Sequence, residues 1–131
     1  MSNFFIPVRV YIEDTDAGGI VFYANYLKYM ERARTELLRS HGFPKPALVG
    51  ESGLLVVTSV NVDYKRPATL DDEIRVTAVI EKVARVYVVF KQEVWRDDEL
   101  LCTGTIKVAC VDSATKRPMS LPKEMLEKIR S

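Results

Sequence analysis

The chain is poor in the side chains on which metal sites and nucleophilic triads depend. Among its 131 residues it has a single histidine, His41, and two cysteines, Cys102 and Cys110. Structural zinc sites draw their ligands mainly from Cys and His, and a disulfide framework needs more cysteines. A Ser-His-Asp or Cys-His triad would have to use the one histidine. We therefore expect no bound metal, and any chemistry must rest on carboxylates, hydroxyls, backbone amides or basic side chains.

A strong charge imbalance and long apolar runs are absent as well. The 19 Lys and Arg residues nearly cancel the 18 Asp and Glu residues, so we expect no nucleic-acid partner. The longest apolar run, residues 17–24, is too short to cross a membrane, and no secretory signal pattern opens the chain. With 47% hydrophobic residues, the composition is that of a globular protein. These features predict one domain over residues 1–131, in the cytoplasm and without membrane insertion.

The hydrophobic pattern changes period along the chain. Residues 4–12 place apolar side chains on one parity, from Phe4 to Ile12, which predicts a strand. Residues 23–41 follow a helical period, and Gly42 stands where a glycine commonly ends a helix. The apolar face of this helix is formed by Tyr26, Met30, Ala33 and Leu37. The pattern therefore predicts a strand followed by one long helix.

Four further segments alternate apolar and polar residues, at 54–62, 74–80, 84–95 and 100–111. In the first of them, Leu54, Val56, Thr58, Val60 and Val62 share one parity. A short helix is predicted at 125–129. The order β-α-β-β-β-β favours an α+β fold, with an antiparallel five-stranded sheet curled around the long helix. Because segment 54–62 carries little charge, it is a poor solvent-exposed edge, and we expect two copies to pair along it.

The segment that can carry chemistry joins the first strand to the helix, at residues 13–27. Three acids crowd at its start, Glu13, Asp14 and Asp16, and a pair of glycines permits a sharp reversal. The helix start then presents free N–H groups to the same loop. Two interpretations are open at this point. The acids either simply favour the helix N-terminus, or one of them acts on a substrate beside those N–H groups.

The stretch V-x-V-x-x-E-D-T-D-A-G-G-I-V-F-x-A-x-Y-x-x-Y-x-E-R-A-R-T-E, residues 8–36, resembles hotdog-fold acyl-CoA thioesterases of the 4-hydroxybenzoyl-CoA thioesterase superfamily. It is most similar to the Tol-Pal-associated (YbgC-type) group. The similarity continues through segments 62–64, 67–68, 70–72 and 121–123. The hotdog fold has the element order predicted above, so the resemblance and the hydrophobic pattern agree.

The resemblance implies hydrolysis of an acyl-CoA thioester, with no cofactor besides the CoA of the substrate. Asp16 would be the nucleophile or general base. The N–H of Tyr23 would stabilise the oxyanion, and Gly19 would let the loop approach the substrate and orient a second amide. Many members of the group carry histidine where Tyr23 stands. Because a phenol cannot replace imidazole as a proton carrier at neutral pH, Tyr23 would position the acyl group or act through its backbone.

Other acids remain candidates for the base. Asp14 is the nearest competitor, although a short acid in a turn more often accepts backbone hydrogen bonds. Glu31 is a carboxylate on the helix, as some hotdog enzymes use, and it can pair with Arg34. His41 is expected to cap the helix C-terminus.

CoA carries phosphates, so basic side chains near the site are needed. The candidates are Lys65, Arg66 and, by similarity, Arg85, with Lys116 and Arg117 as a further pair. For each of them, ordinary solvated charge is the competing interpretation. The two cysteines share one strand face and are expected to be buried as small hydrophobic residues.

Three functions stay open on the sequence. The first is acyl-CoA hydrolysis, with acyl-CoA as substrate, by a homodimer or homotetramer. The second is a dehydratase or hydratase on the same fold, which usually employs a histidine that this loop lacks. The third is a non-catalytic or weakly catalytic module that binds acyl-CoA or an acyl carrier protein.

Overall fold

The computed structural model describes residues 4–130, and its elements follow the predicted order. The strands are β1 (Phe5–Arg9), β2 (Leu48–Val49), β3 (Gly53–Tyr64), β4 (Glu73–Thr77), β5 (Val79–Val83), β6 (Tyr87–Arg96) and β7 (Glu99–Asp112). The helices are α1 (Asn25–Ser40) and α2 (Lys123–Arg130), and a single 3-10 turn covers Ile12–Asp14. No helix in this described range is long and apolar enough to span a membrane.

The strands form one antiparallel sheet around α1, which confirms the predicted α+β class. Their order is β1-β4-β6-β7-β3-β2, and β5 also pairs with β6. The sheet has seven strands where the pattern predicted five. Predicted strand 74–80 divides at Ala78 into β4 and β5, and the two-residue β2 adds to the end of β3.

Helix α1 buries the face that its period predicts. Tyr26, Met30, Ala33 and Leu37 are all nearly or fully buried against the sheet. The helix ends at Ser40, and Gly42 follows with φ +97, a left-handed conformation that glycine adopts without strain. His41 is the C-cap residue, as expected from its position.

The inner face of the sheet is hydrophobic, with one polar exception. Cys102 and Cys110 are buried and unpaired, and burial raises the pKa of the Cys102 thiol to about 12, so both behave as the small hydrophobic residues predicted. Gln92 on β6 is only 1% exposed and was not foreseen as a core residue. Its polar ends bond to the helix and to Thr77, which explains how an amide can be buried there.

Two positions depart from the predicted alternation. A bulge between Val57 and Ser59 shifts the register of β3 against β7. Because one extra residue inverts the parity of a strand, Leu55 and Val57 share the helix-facing side with Val60. Leu54, Val56 and Thr58, which share a parity with Val60 and Val62 in the sequence, therefore do not share a face of the sheet with them. Ile12 was predicted to belong to the first strand, but β1 ends at Arg9, and Ile12 lies in the 3-10 turn and is 76% exposed.

Strand β3 forms most of one edge of the sheet, and β1 forms the other. Strand β3 pairs with β7 along its length, whereas β2 covers only Gly53 and Leu54 on the other side. Beyond Leu54, the outer edge of β3 has no strand partner among residues 4–130. Val57 and Val60 on this strand are 47% and 46% exposed. A long apolar edge therefore lies beside helix α1.

Candidate active site

The first half of the β1–α1 loop is built around Asp14. Its side chain is buried and accepts hydrogen bonds from the Tyr11 N–H (2.9 Å) and from the Asn25 side-chain amide (2.8 Å). Its carbonyl accepts a bond from the Phe22 N–H at 2.9 Å. Asp14 therefore connects the start of the loop to the start of the helix. This is the supporting role expected of a short acid in a turn, and it leaves the carboxylate little room for chemistry.

Asp16, two residues further on, is exposed. One carboxylate oxygen accepts a hydrogen bond from the Gly18 N–H at 2.8 Å, and the other has no partner in the described part of the chain. Gly19 adopts φ +80, a conformation that favours glycine, and donates its N–H to the Asp16 carbonyl at 3.0 Å. The turn thus holds a carboxylate toward solvent. Because the Gly19 N–H is used inside this turn, it is not free to be a second oxyanion donor here.

The loop ends at unused hydrogen-bond donors. Within residues 4–130, the N–H groups of Tyr23 and Ala24 have no acceptor, and no side chain caps α1. The next N–H, that of Asn25, already bonds the Phe22 carbonyl at 2.8 Å. Two adjacent donors therefore stand at the positive end of the helix dipole, where an anionic oxygen is stabilised. The Tyr23 side chain itself is 64% exposed.

Tyrosines from α1 and β3 hold this helix start. The Tyr64 hydroxyl donates to the Tyr23 carbonyl at 2.9 Å, and its ring packs edge-on against Tyr23 and Tyr26. Burial raises the pKa of Tyr64, so the hydroxyl keeps its proton as a donor. The Tyr26 hydroxyl in turn accepts the Ala68 N–H at 2.9 Å. Tyr64 was not predicted as a site residue, because nothing in a strand-like segment indicates which tyrosine hydroxyl reaches a distant backbone carbonyl.

Two of the five candidate CoA contacts, Lys65 and Arg66, lie at this end of the sheet. A cavity of about 250 Å³ opens beside the tyrosines and is lined in part by Lys65 and Arg66. Arg66 also pairs with Glu99 at 3.2 Å, whereas Lys65 has no ion pair among the described residues. These cations therefore lie beside Tyr23, close to the loop of Asp16.

Arg85 lies at the opposite end. The carbonyl of its neighbour Val86 accepts the Cys110 N–H, whereas the Lys65 N–H bonds to Leu101. Cys110 and Leu101 are near the two ends of β7, roughly 30 Å apart at the usual rise of a strand. Within one chain, Arg85 is therefore not brought to the site of Asp16. The Lys116–Arg117 turn closes against the same far end of β7, at Asp112.

Glu31 does not join the loop either. It lies two turns into α1, is exposed, and accepts a hydrogen bond from the Thr35 hydroxyl at 2.6 Å. The expected pairing with Arg34 is not formed within 4.0 Å, because Arg34 is buried and bonds Gln92 instead. Among residues 4–130, no three His, Cys, Asp or Glu side chains are grouped as a metal site requires.

Comparison with known proteins places the chain in a family. The thioesterase superfamily model matches residues 18–103. The acyl-CoA thioesterase YbgC of Haemophilus influenzae is 43% identical over 125 residues, covering 95% of this chain and 92% of the relative. The acyl-CoA thioester hydrolase YbgC of Escherichia coli is 41% identical, covering 95% and 93%. A crystal structure of a hypothetical protein from Aquifex aeolicus superposes with TM-score 0.88 at 33% identity, covering 96% and 98%. The chain therefore belongs to the thioesterase superfamily, with the hotdog fold, and within it to the YbgC-type group.

Proposed function

We propose that this protein is an acyl-CoA thioesterase, which hydrolyses an acyl-CoA to the free acid and CoA. The observation that carries the proposal is the loop itself, which presents the exposed carboxylate of Asp16 together with the unpaired N–H groups of Tyr23 and Ala24. A thioester hydrolase needs both a base or nucleophile and a preformed oxyanion site. The Haemophilus and Escherichia relatives, an acyl-CoA thioesterase and an acyl-CoA thioester hydrolase, support the same conclusion.

Asp16 would act at the thioester carbonyl in one of two ways. As general base, it takes a proton from the attacking water. As nucleophile, it forms a mixed anhydride that water then cleaves. In both routes the carbonyl oxygen becomes negative and is stabilised by the free N–H groups of Tyr23 and Ala24. Breaking the C–S bond then releases CoA as a thiolate.

The leaving group explains how such a site can work without histidine. A thiol has a pKa of about 8.5, so a thiolate departs near neutral pH with little help from a general acid. A phenol at position 23 is then no obstacle to hydrolysis. We therefore assign Tyr23 a backbone role as oxyanion donor, with its exposed ring beside the acyl group.

Lys65 and Arg66 would bind phosphates of CoA from their position beside the Tyr23 cavity. Arg85 would contribute only from a second copy. In a two-fold symmetric dimer, the β3 strands of the two copies would pair antiparallel along their free edges. The Leu55 end of β3 in one copy would then lie beside the Tyr64 end of β3 in the other. Because Leu55 lies opposite Cys110 on β7, this pairing carries the Arg85 end of the second copy toward the first copy's Asp16. A homodimer is thus the smallest complete assembly, and a homotetramer would join two of them.

Thiol release from a panel of alkyl and aryl acyl-CoAs, followed with a thiol reagent, tests the activity. We expect turnover by the purified protein without added metal. Binding of acyl-CoA with no thiol release would instead identify a binding module. Addition of water to an enoyl-CoA would identify a hydratase, and release only from acyl carrier protein would identify the carrier-bound thioester as the substrate.

Analytical ultracentrifugation tests the assembly at micromolar concentration. We expect a dimer or tetramer, because the exposed valines of β3 and its unpaired backbone groups favour pairing. A stable monomer would contradict the assembly and leave Arg85 outside the site. A cytoplasmic location remains our prediction and is tested by cell fractionation.

A further inference from the structure

The cavity beside the tyrosines connects the two parts of the proposed substrate site. It has a volume of about 250 Å³, and its lining includes Tyr23 together with Lys65 and Arg66. The thioester carbonyl would lie at the free Tyr23 N–H, and the phosphates of CoA would lie at the two cations. In CoA, the pantetheine arm is the part that joins the thioester to the phosphates. A substrate held at both places therefore lays its pantetheine arm in this cavity.

The walls of the cavity are mainly apolar, whereas the pantetheine arm is not. Ile20, Val21 and Pro67 line the cavity along with three tyrosines. The arm carries amide groups, and an amide that leaves water without finding a hydrogen-bond partner weakens binding. Specific ligand pockets meet this need with a small number of well-placed polar groups in an apolar wall. A hydrogen-bonding group is therefore needed on the wall of this cavity.

Tyr26 supplies such a group, because its buried hydroxyl has an unused proton. The side chain is 3% exposed, and its oxygen accepts the Ala68 N–H at 2.9 Å. Its own O–H has no acceptor among residues 4–130. The neighbouring Tyr64 differs, since its hydroxyl already donates to the Tyr23 carbonyl. Burial raises the pKa of Tyr26, so the proton stays on the hydroxyl at neutral pH.

The backbone that Tyr26 contacts is held in place by other bonds as well. The Ala68 carbonyl accepts the Val21 N–H at 2.9 Å, and the Pro67 carbonyl accepts a bond from the Arg96 side chain at 3.2 Å. These two carbonyls are therefore engaged, and the Tyr26 proton is left for a ligand. Because buried hydroxyls normally use their hydrogen-bonding capacity, the acceptor has to come from outside the described chain. The same two bonds keep residues 67–68 in position if the Tyr26 hydroxyl is removed.

We propose that Tyr26 binds the pantetheine arm, with its hydroxyl donating a hydrogen bond to an amide carbonyl of that arm. The proposal rests on the thioesterase activity proposed above and names what the site recognises besides the acyl group. That feature is the amide-bearing arm, which CoA shares with the prosthetic group of an acyl carrier protein. A simple alkyl thioester offers no acceptor for this bond. Tyr26 is thus a binding residue for the arm, separate from Asp16 at the carbonyl.

The test compares hexanoyl thioesters whose thiol part is shortened step by step. They are hexanoyl-CoA, hexanoyl-pantetheine, which lacks the phosphates, hexanoyl-N-acetylcysteamine, which keeps only the amide nearest the sulfur, and S-butyl hexanethioate, which has no amide. Tyr26→Phe should lower kcat/KM about 2–12-fold for hexanoyl-CoA and hexanoyl-pantetheine, as expected for one lost hydrogen bond between neutral groups. It should leave kcat/KM for S-butyl hexanethioate near the wild-type value.

Hexanoyl-N-acetylcysteamine shows which amide is bound. If Tyr26→Phe lowers its kcat/KM as well, the bond goes to the amide nearest the sulfur, and if not, to the outer amide. Tyr11→Phe is the matched control, because it removes the hydroxyl of a tyrosine that is 63% exposed and does not line the cavity. It should leave kcat/KM unchanged for all of these thioesters.

The outcomes separate this inference from the proposed function. If Tyr26→Phe lowers kcat/KM by the same factor for every thioester, or for none, the inference is overturned while the thioesterase activity stands. A wild-type protein that hydrolyses no thioester overturns both. If circular dichroism shows that Tyr26→Phe does not fold, the wild-type protein decides the matter. It should prefer the pantetheine thioester to S-butyl hexanethioate, and equal kcat/KM values would contradict a bond to the arm.

Discussion

The two halves of the β1–α1 loop contain similar residues and use them differently. In residues 11–15, Asp14 is buried and both of its carboxylate oxygens accept hydrogen bonds. In residues 16–24, Asp16 is exposed, one of its oxygens is unbonded within the described chain, and the half ends on two free N–H groups. The first half bonds the carboxylate of Asp14 within the loop, and the second half leaves the Asp16 carboxylate and two N–H groups available for a ligand.

The contrast shows how a short loop separates stability from chemistry. A carboxylate with both oxygens bonded stabilises the fold and is shielded from substrate. An exposed carboxylate held by a glycine turn adds little to stability but is available for reaction. Substitutions in the two halves should therefore affect different measurements.

The largest expected effect is that of Asp16→Asn on turnover. Removing a group that acts directly on the substrate should lower kcat at least ~100-fold, measured by thiol release. The midpoint of urea unfolding should hardly change, since Asp16 makes only one side-chain hydrogen bond, with Gly18.

Glu13→Gln is the control for loop charge, because Glu13 is an exposed acid in the other half of the loop. It should retain activity. Near-normal turnover by Asp16→Asn would contradict the assignment of Asp16 as the catalytic carboxylate. Loss of activity in Glu31→Gln instead would identify Glu31, on helix α1, as the base.

Asp14→Ala should show the opposite pattern. It leaves the Tyr11 N–H and the Asn25 amide without their acceptor, which should cost about 2 kcal/mol of the free energy of unfolding. Denaturant unfolding followed by circular dichroism measures this loss. An unchanged unfolding midpoint would show that Asp14 does not hold the loop.

Tyr64→Phe tests whether the second half depends on a contact from β3. The variant loses only the bond to the Tyr23 carbonyl and keeps the ring contacts. We expect kcat to fall about fivefold, as for a hydrogen bond worth ~1 kcal/mol, with KM unchanged. If the free energy of unfolding falls by as much as the activation free energy of turnover rises, Tyr64 has a general structural role instead.

The smallest expected effect is that of Asp72→Asn on stability. Asp72 lies in the turn that contains Thr69, and Thr69 pairs with Ile20 of the β1–α1 loop. Burial disfavours its charge, but hydrogen bonds from the Thr69 N–H and from Arg96 outweigh burial and lower the pKa of Asp72. A lowered pKa in the folded state contributes stability above the ordinary pKa of Asp and loses it as pH falls.

Asp72→Asn should therefore be less stable than wild type at neutral pH by under about 1 kcal/mol, as expected for a partly exposed pair. The difference should vanish in strong acid, where both proteins lack the charge. Urea titrations at the two pH values measure it, and a difference that persists in acid would exclude the carboxylate charge as its cause.

Local pattern was sufficient for much of this molecule. The helical period of residues 23–41 and Gly42 predicted α1 and its end, and the alternating segments predicted the sheet. The acids and glycines marked residues 13–27 as the loop that can carry chemistry, whereas Asp16 and Tyr23 were singled out within it only by the resemblance to hotdog thioesterases. These features follow from the period of the backbone and from residues with special conformations, which neighbouring positions encode.

Four features of the fold and the site could be recognised only in the tertiary structure. The bulge in β3 exchanged the faces of its first half, Arg34 turned inward to Gln92, Tyr64 reached the Tyr23 carbonyl, and Arg85 lay at the far end of the sheet from Asp16. Each of these depends on the register between segments far apart in sequence. A strand's own alternation does not specify that register, because it is set by the packing of the whole sheet against the helix.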